Sequence, residues 1–150
     1  MKKIQFSAIA ILISETIAAI PHSLKACSPG SVTPIGNFVV YDQNSGPYDT
    51  YDVFVCVSYE CPSSGCQSAA IATLIPSQLG TPYAISANPI SLYLPTEYQS
   101  YLYFKITIVV QKKTNGSPVG SPKSRYSYAD YDSLYQTFTA RTNPIGVSFP

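Results

Sequence analysis

Leu102, Phe104, Ile106, Ile108 and Val110 occupy every second position of one stretch. Tyr101, Tyr103, Lys105, Thr107, Val109 and Gln111 fill the places between. Successive side chains of an extended chain point to opposite faces, so this run predicts a long strand with one buried face. Tyr51, Val53, Val55, Val57 and Tyr59 repeat the pattern, with Asp52, Phe54, Cys56, Ser58 and Glu60 opposite. Shorter strands are expected over 37–41, 67–75, 90–94 and 133–140, and the last residues alternate through Ile145, Val147 and Phe149.

Turn chemistry separates these runs: Asn44-Ser45-Gly46-Pro47, Pro62-Ser63-Ser64-Gly65 and Asn115-Gly116-Ser117-Pro118. Such clusters of Asn, Ser, Gly and Pro punctuate strands. Helical periodicity is weak outside the N-terminus. The expected fold is therefore all-β: an antiparallel two-sheet sandwich of six or seven strands, immunoglobulin-like in general shape. The chain has no Trp to fill the usual core position of that family. Thr33-Pro34-Ile35-Gly36 and Asn143-Pro144-Ile145-Gly146 echo each other, each ahead of a short alternating stretch.

The first 26 residues read differently. Lys2 and Lys3 precede an apolar run, Ile4 to Ile20, and a polar patch follows. That order is the pattern of a secretory signal peptide. Residues 1–26 are assigned to it and 27–150 to a single domain, with cleavage after Ala18, Ala19 or Ala26. Glu15 interrupts the run, and a permanent span needs about 20 mostly apolar residues. Leu24-Lys25-Ala26-Cys27 also has the form of a bacterial lipoprotein box with Cys27 acylated, although Lys25 fits it poorly. The expected location is secreted or periplasmic, with a lipid anchor through Cys27 as the lesser alternative.

Composition fits an exported β-protein. Charged residues make up 11% of the 150, Tyr and Pro number 13 each, and the formal net charge is +1. That balance gives no electrostatic case for nucleic acid. An exported chain meets an oxidising environment, and four cysteines are an even count. Cys61 and Cys66 flank Pro-Ser-Ser-Gly, so they are expected to close a hairpin tip, leaving Cys27 to pair with Cys56. Structural zinc sites want tight Cys pairs or added histidines, and the single histidine, His22, lies in the leader. No metal or other cofactor is expected.

Without a histidine after the leader, Ser-His-Asp and Cys-His catalysis have no base. Asp49/Asp52 and Asp130/Asp132 are the carboxylate pairs a small acid-dependent hydrolase would need, and a Ser–Lys dyad would have to use Lys105. Asp42, Asn44, Asp49 and Asp52 cluster oxygen ligands of the kind calcium takes. Gly46 stands one place early for an EF-hand and no Glu occupies the twelfth position, so an Asx-rich turn explains them as well. Asn115-Gly116-Ser117 matches the N-glycosylation pattern and equally the preferred hairpin turn.

Tyrosine is the remaining concentration. Tyr98, Tyr101 and Tyr103 lead into the long strand, and Tyr126, Tyr128, Tyr131 and Tyr135 crowd another segment. Tyrosine offers a large ring with a polar tip, suited to stacking on sugar or packing on protein. The expectation is a non-enzymatic interaction module that contacts a protein or carbohydrate through Tyr98, Tyr101, Tyr103, Tyr126 and Tyr128. The alternative is a pilus- or filament-like subunit that self-assembles by exchanging residues 31–41 or 145–149 as a strand.

Overall fold

The computed structural model describes residues 27–59, 66–95 and 104–150. Eleven strands are present among them, with one short 3₁₀ turn at Pro76–Gln78. They are β1 (Cys27–Ile35), β2 (Asn37–Asp42), β3 (Asp49–Ser58), β4 (Gln67–Leu74), β5 (Tyr83–Ala84), β6 (Ile90–Pro95), β7 (Lys105–Thr114), β8 (Ser117–Pro118), β9 (Lys123–Asp132), β10 (Thr137–Ala140) and β11 (Ile145–Phe149). No helix among the described residues is long and apolar enough to cross a membrane.

The strands form two sheets, as a sandwich requires. The large sheet runs β4-β3-β7-β9-β10-β1-β6, with β8 folded back on β7, and the small sheet runs β11-β2-β5. β6 also lies against β4 and β3, so the large sheet curls toward closure. The immunoglobulin likeness extends no further than this general two-sheet shape. Neighbours are mostly antiparallel, but β1 runs parallel to β10 and β11 parallel to β2.

Alternation explains the core. The inward set of β3 (Tyr51, Val53, Val55, Val57) and of β7 (Ile106, Ile108, Val110) is fully buried, and the two strands pair over their whole length. Phe38, Val40, Ile145 and Val147 of the small sheet join the same cluster. At one end Phe104, Tyr131 and Phe138 meet with ring centroids 5.0–5.5 Å apart, and Tyr59 stacks on Phe104 at 4.5 Å. The β7–β8 turn uses positive φ at both Asn115 (52°) and Gly116 (81°), the geometry that Asn-Gly favours in a two-residue hairpin.

The expected strand over 133–140 is shorter than anticipated. Residues 133–136 form a turn held by Asp132, whose Oδ1 accepts the Leu134 and Tyr135 N–H groups. The first and last described strands lie within the chain's own sheets, β1 in the large one and β11 in the small one. Residues 31–41 do not form one exchangeable strand, because Gly36 divides them between the two sheets.

The disulfide among the described residues is Cys56–Cys66, with Cα atoms 5.5 Å apart, which corrects the expected Cys27–Cys56 and Cys61–Cys66 pairing. Register supplies the reason. Cys56 stands opposite Ser68, and Cys66 lies two residues before Ser68 on the same sheet face, so the sulfurs meet diagonally. Cys61 lies outside the described residues.

Two outcomes follow. Non-reducing peptide mapping recovers Cys56 linked to Cys66, and replacing both by Ser lowers unfolding free energy by about 2–3 kcal/mol. Phe138→Ala costs about 3–5 kcal/mol in urea titration, whereas Leu134→Ala at an exposed turn stays within about 0.5 kcal/mol.

Candidate functional site

The chemistry-bearing side chains fall into two groups on opposite faces of β3 and β7. The inner group begins where the apolar alternation of β7 runs out. After Ile106, Ile108 and Val110, the next inward place is Lys112, and its partner across the ladder is Tyr51. One step further, Thr114 faces Asp49. The core therefore ends in a polar plug.

Lys112 Nζ lies 2.7 Å from Asp42 Oδ2 and 3.2 Å from Asp49 Oδ2. Asp42 comes from the end of β2, so this ion pair spans from the small sheet to the large one. Its side chain is 0% exposed. Asp42 Oδ2 also accepts the Tyr51 hydroxyl at 2.7 Å, and Oδ1 accepts the Asn44 N–H at 2.8 Å. Asp49 accepts the Gly46 N–H at 2.7 Å and the Thr114 hydroxyl at 2.6 Å. The Tyr51 ring packs edge-on against Phe149 at 5.6 Å.

These contacts set the titration. Hydrogen bonds from Gly46 and Thr114, helped by the Lys112 ammonium, bring the Asp49 carboxyl down to about 2. Burial pushes Asp42 up, but the bonds from Lys112, Tyr51 and Asn44 outweigh it and leave it below the ordinary value. Burial, then the bond to Asp42, raises Tyr51 to about 12. The bond to Asp42 raises Lys112 further against its own desolvation.

The four calcium candidates are thus only partly brought together. Asp42 and Asp49 converge, but on an ammonium that the chain itself provides. Asn44 turns its Nδ2 to the Pro150 carbonyl at 3.1 Å. Asp52 lies on the outer face, bound to Lys113 at 2.6 Å and to the Thr73 hydroxyl. Among the described residues no three His, Cys, Asp or Glu side chains are grouped to hold a metal. The carboxylate pairs are divided or engaged elsewhere. Asp49 and Asp52 point to opposite faces of β3. Asp130 holds Arg141 at 2.8 Å, while Asp132 braces the β9–β10 turn.

The outer group lies on the face of the large sheet turned away from the core. In register, Ser58, Lys105 and Tyr128 form one cross-strand row, and Cys56, Thr107 and Tyr126 the next. Tyr126 is 51% exposed and Tyr128 44%. Their rings meet edge to face at 5.5 Å. Lys105 Nζ stands 4.9 Å from the Tyr126 centroid and 5.7 Å from that of Tyr128. The disulfide borders this patch through Cys56. Tyr98, Tyr101 and Tyr103 lie outside the described residues.

Sequence reasoning missed Lys112 and Lys105 as partners of these groups. The signal for Lys112 was present: carrying the alternation of β7 one place further points a lysine inward, where it needs anions. Comparison with known proteins adds no relative: no family model, curated protein or solved structure matches the chain.

The plug predicts a pH profile. Asp42, Asp49 and Asp52 lie below their ordinary value of 3.8, so their contribution is present above it and is lost as pH falls toward about 2. Tyr51 and Lys112 are raised, so theirs is present below 10.0 and 10.5 and is lost as pH rises beyond. Thermal scans across pH give a plateau between these limits, and Asp49→Asn makes the acid limb shallower. Lys112→Met leaves the facing carboxylates without their cation and costs about 3 kcal/mol at neutral pH. Because the ammonium already occupies the point where they converge, millimolar calcium or a chelator leaves the wild-type Tm unchanged.

Proposed function

We propose that the chain is an exported, disulfide-stapled β-domain that works by binding, and that its contact surface is the outer face around Tyr126 and Tyr128. The observation that carries this reading is the aromatic pair itself: two half-open rings set edge to face, with one ammonium over both. Buried tyrosines need no function beyond packing, but large apolar rings left on a sheet face are a recurring feature of contact sites. Lys105 adds attraction for acidic or hydroxyl-rich groups at the rim of the rings. The partner class that suits this chemistry is a carbohydrate or a protein surface.

The disulfide supports export. Such bonds form and persist outside reducing compartments, and the leader-like first 26 residues supply a route. On this reading the mature domain is secreted or periplasmic, and its staple holds the β3–β4 hairpin beside the contact face.

Tyrosine-directed iodination of the protein in its native setting, compared with the purified protein, tests the contact face without knowledge of the partner. Tyr126 and Tyr128 are expected to be labelled when purified and protected in situ. Tyr135, 73% exposed at a turn, serves as the internal reference and is labelled in both. Equal labelling of Tyr126 and Tyr128 in the two states overturns the reading. Intact mass of the native protein gives the companion result, a chain shortened by its leader.

A further inference from the structure

The first described strand occupies an unusual place. β1 lies inside the large sheet, between β10 and β6, although it is poorly made for an interior strand. Pro29 and Pro34 donate no N–H, and proline is normally confined to sheet edges, strand starts and bulges. Gly30 has no side chain to pack. Of its inward residues only Val32 and Pro34 are buried. The ladder is divided as well: Cys27 to Val32 pair with β6, and Thr33 to Ile35 with β10. Without β1, β6 loses its hydrogen-bonded neighbour, while Ile90, Leu92 and Leu94 still pack in the core.

β1 nonetheless fits its slot closely. A Cβ at Gly30 would lie 2.7 Å from Leu94 Cδ1, the end of a flexible side chain that would have to shift to admit it. Two places on, Val32 fills a fully enclosed position.

A single residue, Gly36, joins β1 to β2 and turns the chain from the large sheet to the small one. Its φ of 155° lies in a region L side chains rarely adopt, and a Cβ there would come within 3.0 Å of Ala140 Cβ. β2 keeps its own ladder to β11 and β5 whichever way β1 goes. On the reading that the 26 residues ahead of it are removed as a leader, β1 is a terminal element, and such an element on a short, constrained hinge is the arrangement that invites exchange between copies.

We propose that β1 exchanges between copies of this chain, the Cys27–Ile35 strand of one filling the β6/β10 slot of another. The exchanged strand remakes the same ladder, so the two states differ in hinge conformation and association entropy rather than in contacts. Reciprocal exchange closes a pair, and one-way exchange extends an open chain. The proposal is independent of the tyrosine face and stands or falls without it.

Ser31 and Ser91 are directly opposed across β1 and β6, with both side chains on the outer side. Opposed antiparallel residues lie within disulfide reach. S31C and S91C are made as separate chains, mixed, refolded together from urea without reductant and oxidised. Exchange gives a covalent species of twice the chain mass, in which peptide mapping joins position 31 of one chain to 91 of the other. A short Gly/Ser insertion after Gly36 relaxes the hinge and reduces that species. The S31C/S91C double variant, diluted before oxidation, closes its bond within one chain and shows that the pair is competent. A competent double variant with no two-chain product from the mixture overturns the proposal. So does a double variant that folds but closes no bond, because β1 then does not occupy the slot.

Discussion

The interior of this protein ends at a lysine. β7 carries its inward face past Val110 to Lys112, and an ammonium in that half-closed place needs opposite charge. The fold can close only if anions are brought to it, and they come from two directions. Asp49 arrives along β3, the neighbour that β7 already pairs with. Asp42 arrives from β2, in the other sheet. The contact at 2.7 Å between Lys112 and Asp42 is therefore a constraint on how the two sheets meet at this end. Tyr51 is drawn in by the same carboxylate, and its ring in turn supports Phe149 of the last strand. Breaking such a set by removing one member leaves uncompensated charge. Replacing the whole set by apolar residues would not carry that penalty, so its value is as much in defining one arrangement as in raw stability.

What the residues revealed in advance follows from how loudly each face speaks. β3 and β7 alternate large aliphatic and polar residues, and the middle of each was legible, although the reading stopped at Gln111, short of Lys112 to Thr114, and began at Tyr51, past Asp49. β2, β4, β6 and β11 also announced themselves. β9 did not, because its inward residues include Ser127 and Ala129, which are buried but too small or too polar to mark a period. β1 was obscured by two prolines and a glycine that ordinarily argue against an interior strand. The Pro-Ile-Gly echo proved to have a spatial counterpart: the two copies lead into β2 and β11, which run side by side, and Asn143 Oδ1 accepts the Asn37 N–H at 2.7 Å.

The cysteine pairing shows a different limit. Spacing along the chain favoured the two cysteines that flank a turn-like tetrapeptide. The ladder decided otherwise, because register places a residue relative to its cross-strand neighbours, and that information is absent from local spacing. The tyrosines divide on similar grounds. Tyr51, Tyr59 and Tyr131 were drawn into packing, while Tyr126 and Tyr128 stayed on the outer face beside Lys105. Composition alone could not separate the two sets; their parity within β9 does.

The Cys56–Cys66 bridge has one further effect. It closes a covalent ring around residues 57–65. Cleavage by a protease at any single bond inside that ring leaves the two fragments joined through sulfur, with β3 and β4 still tethered. Outside a reducing environment, a nick in this connection would therefore not release either piece of the domain.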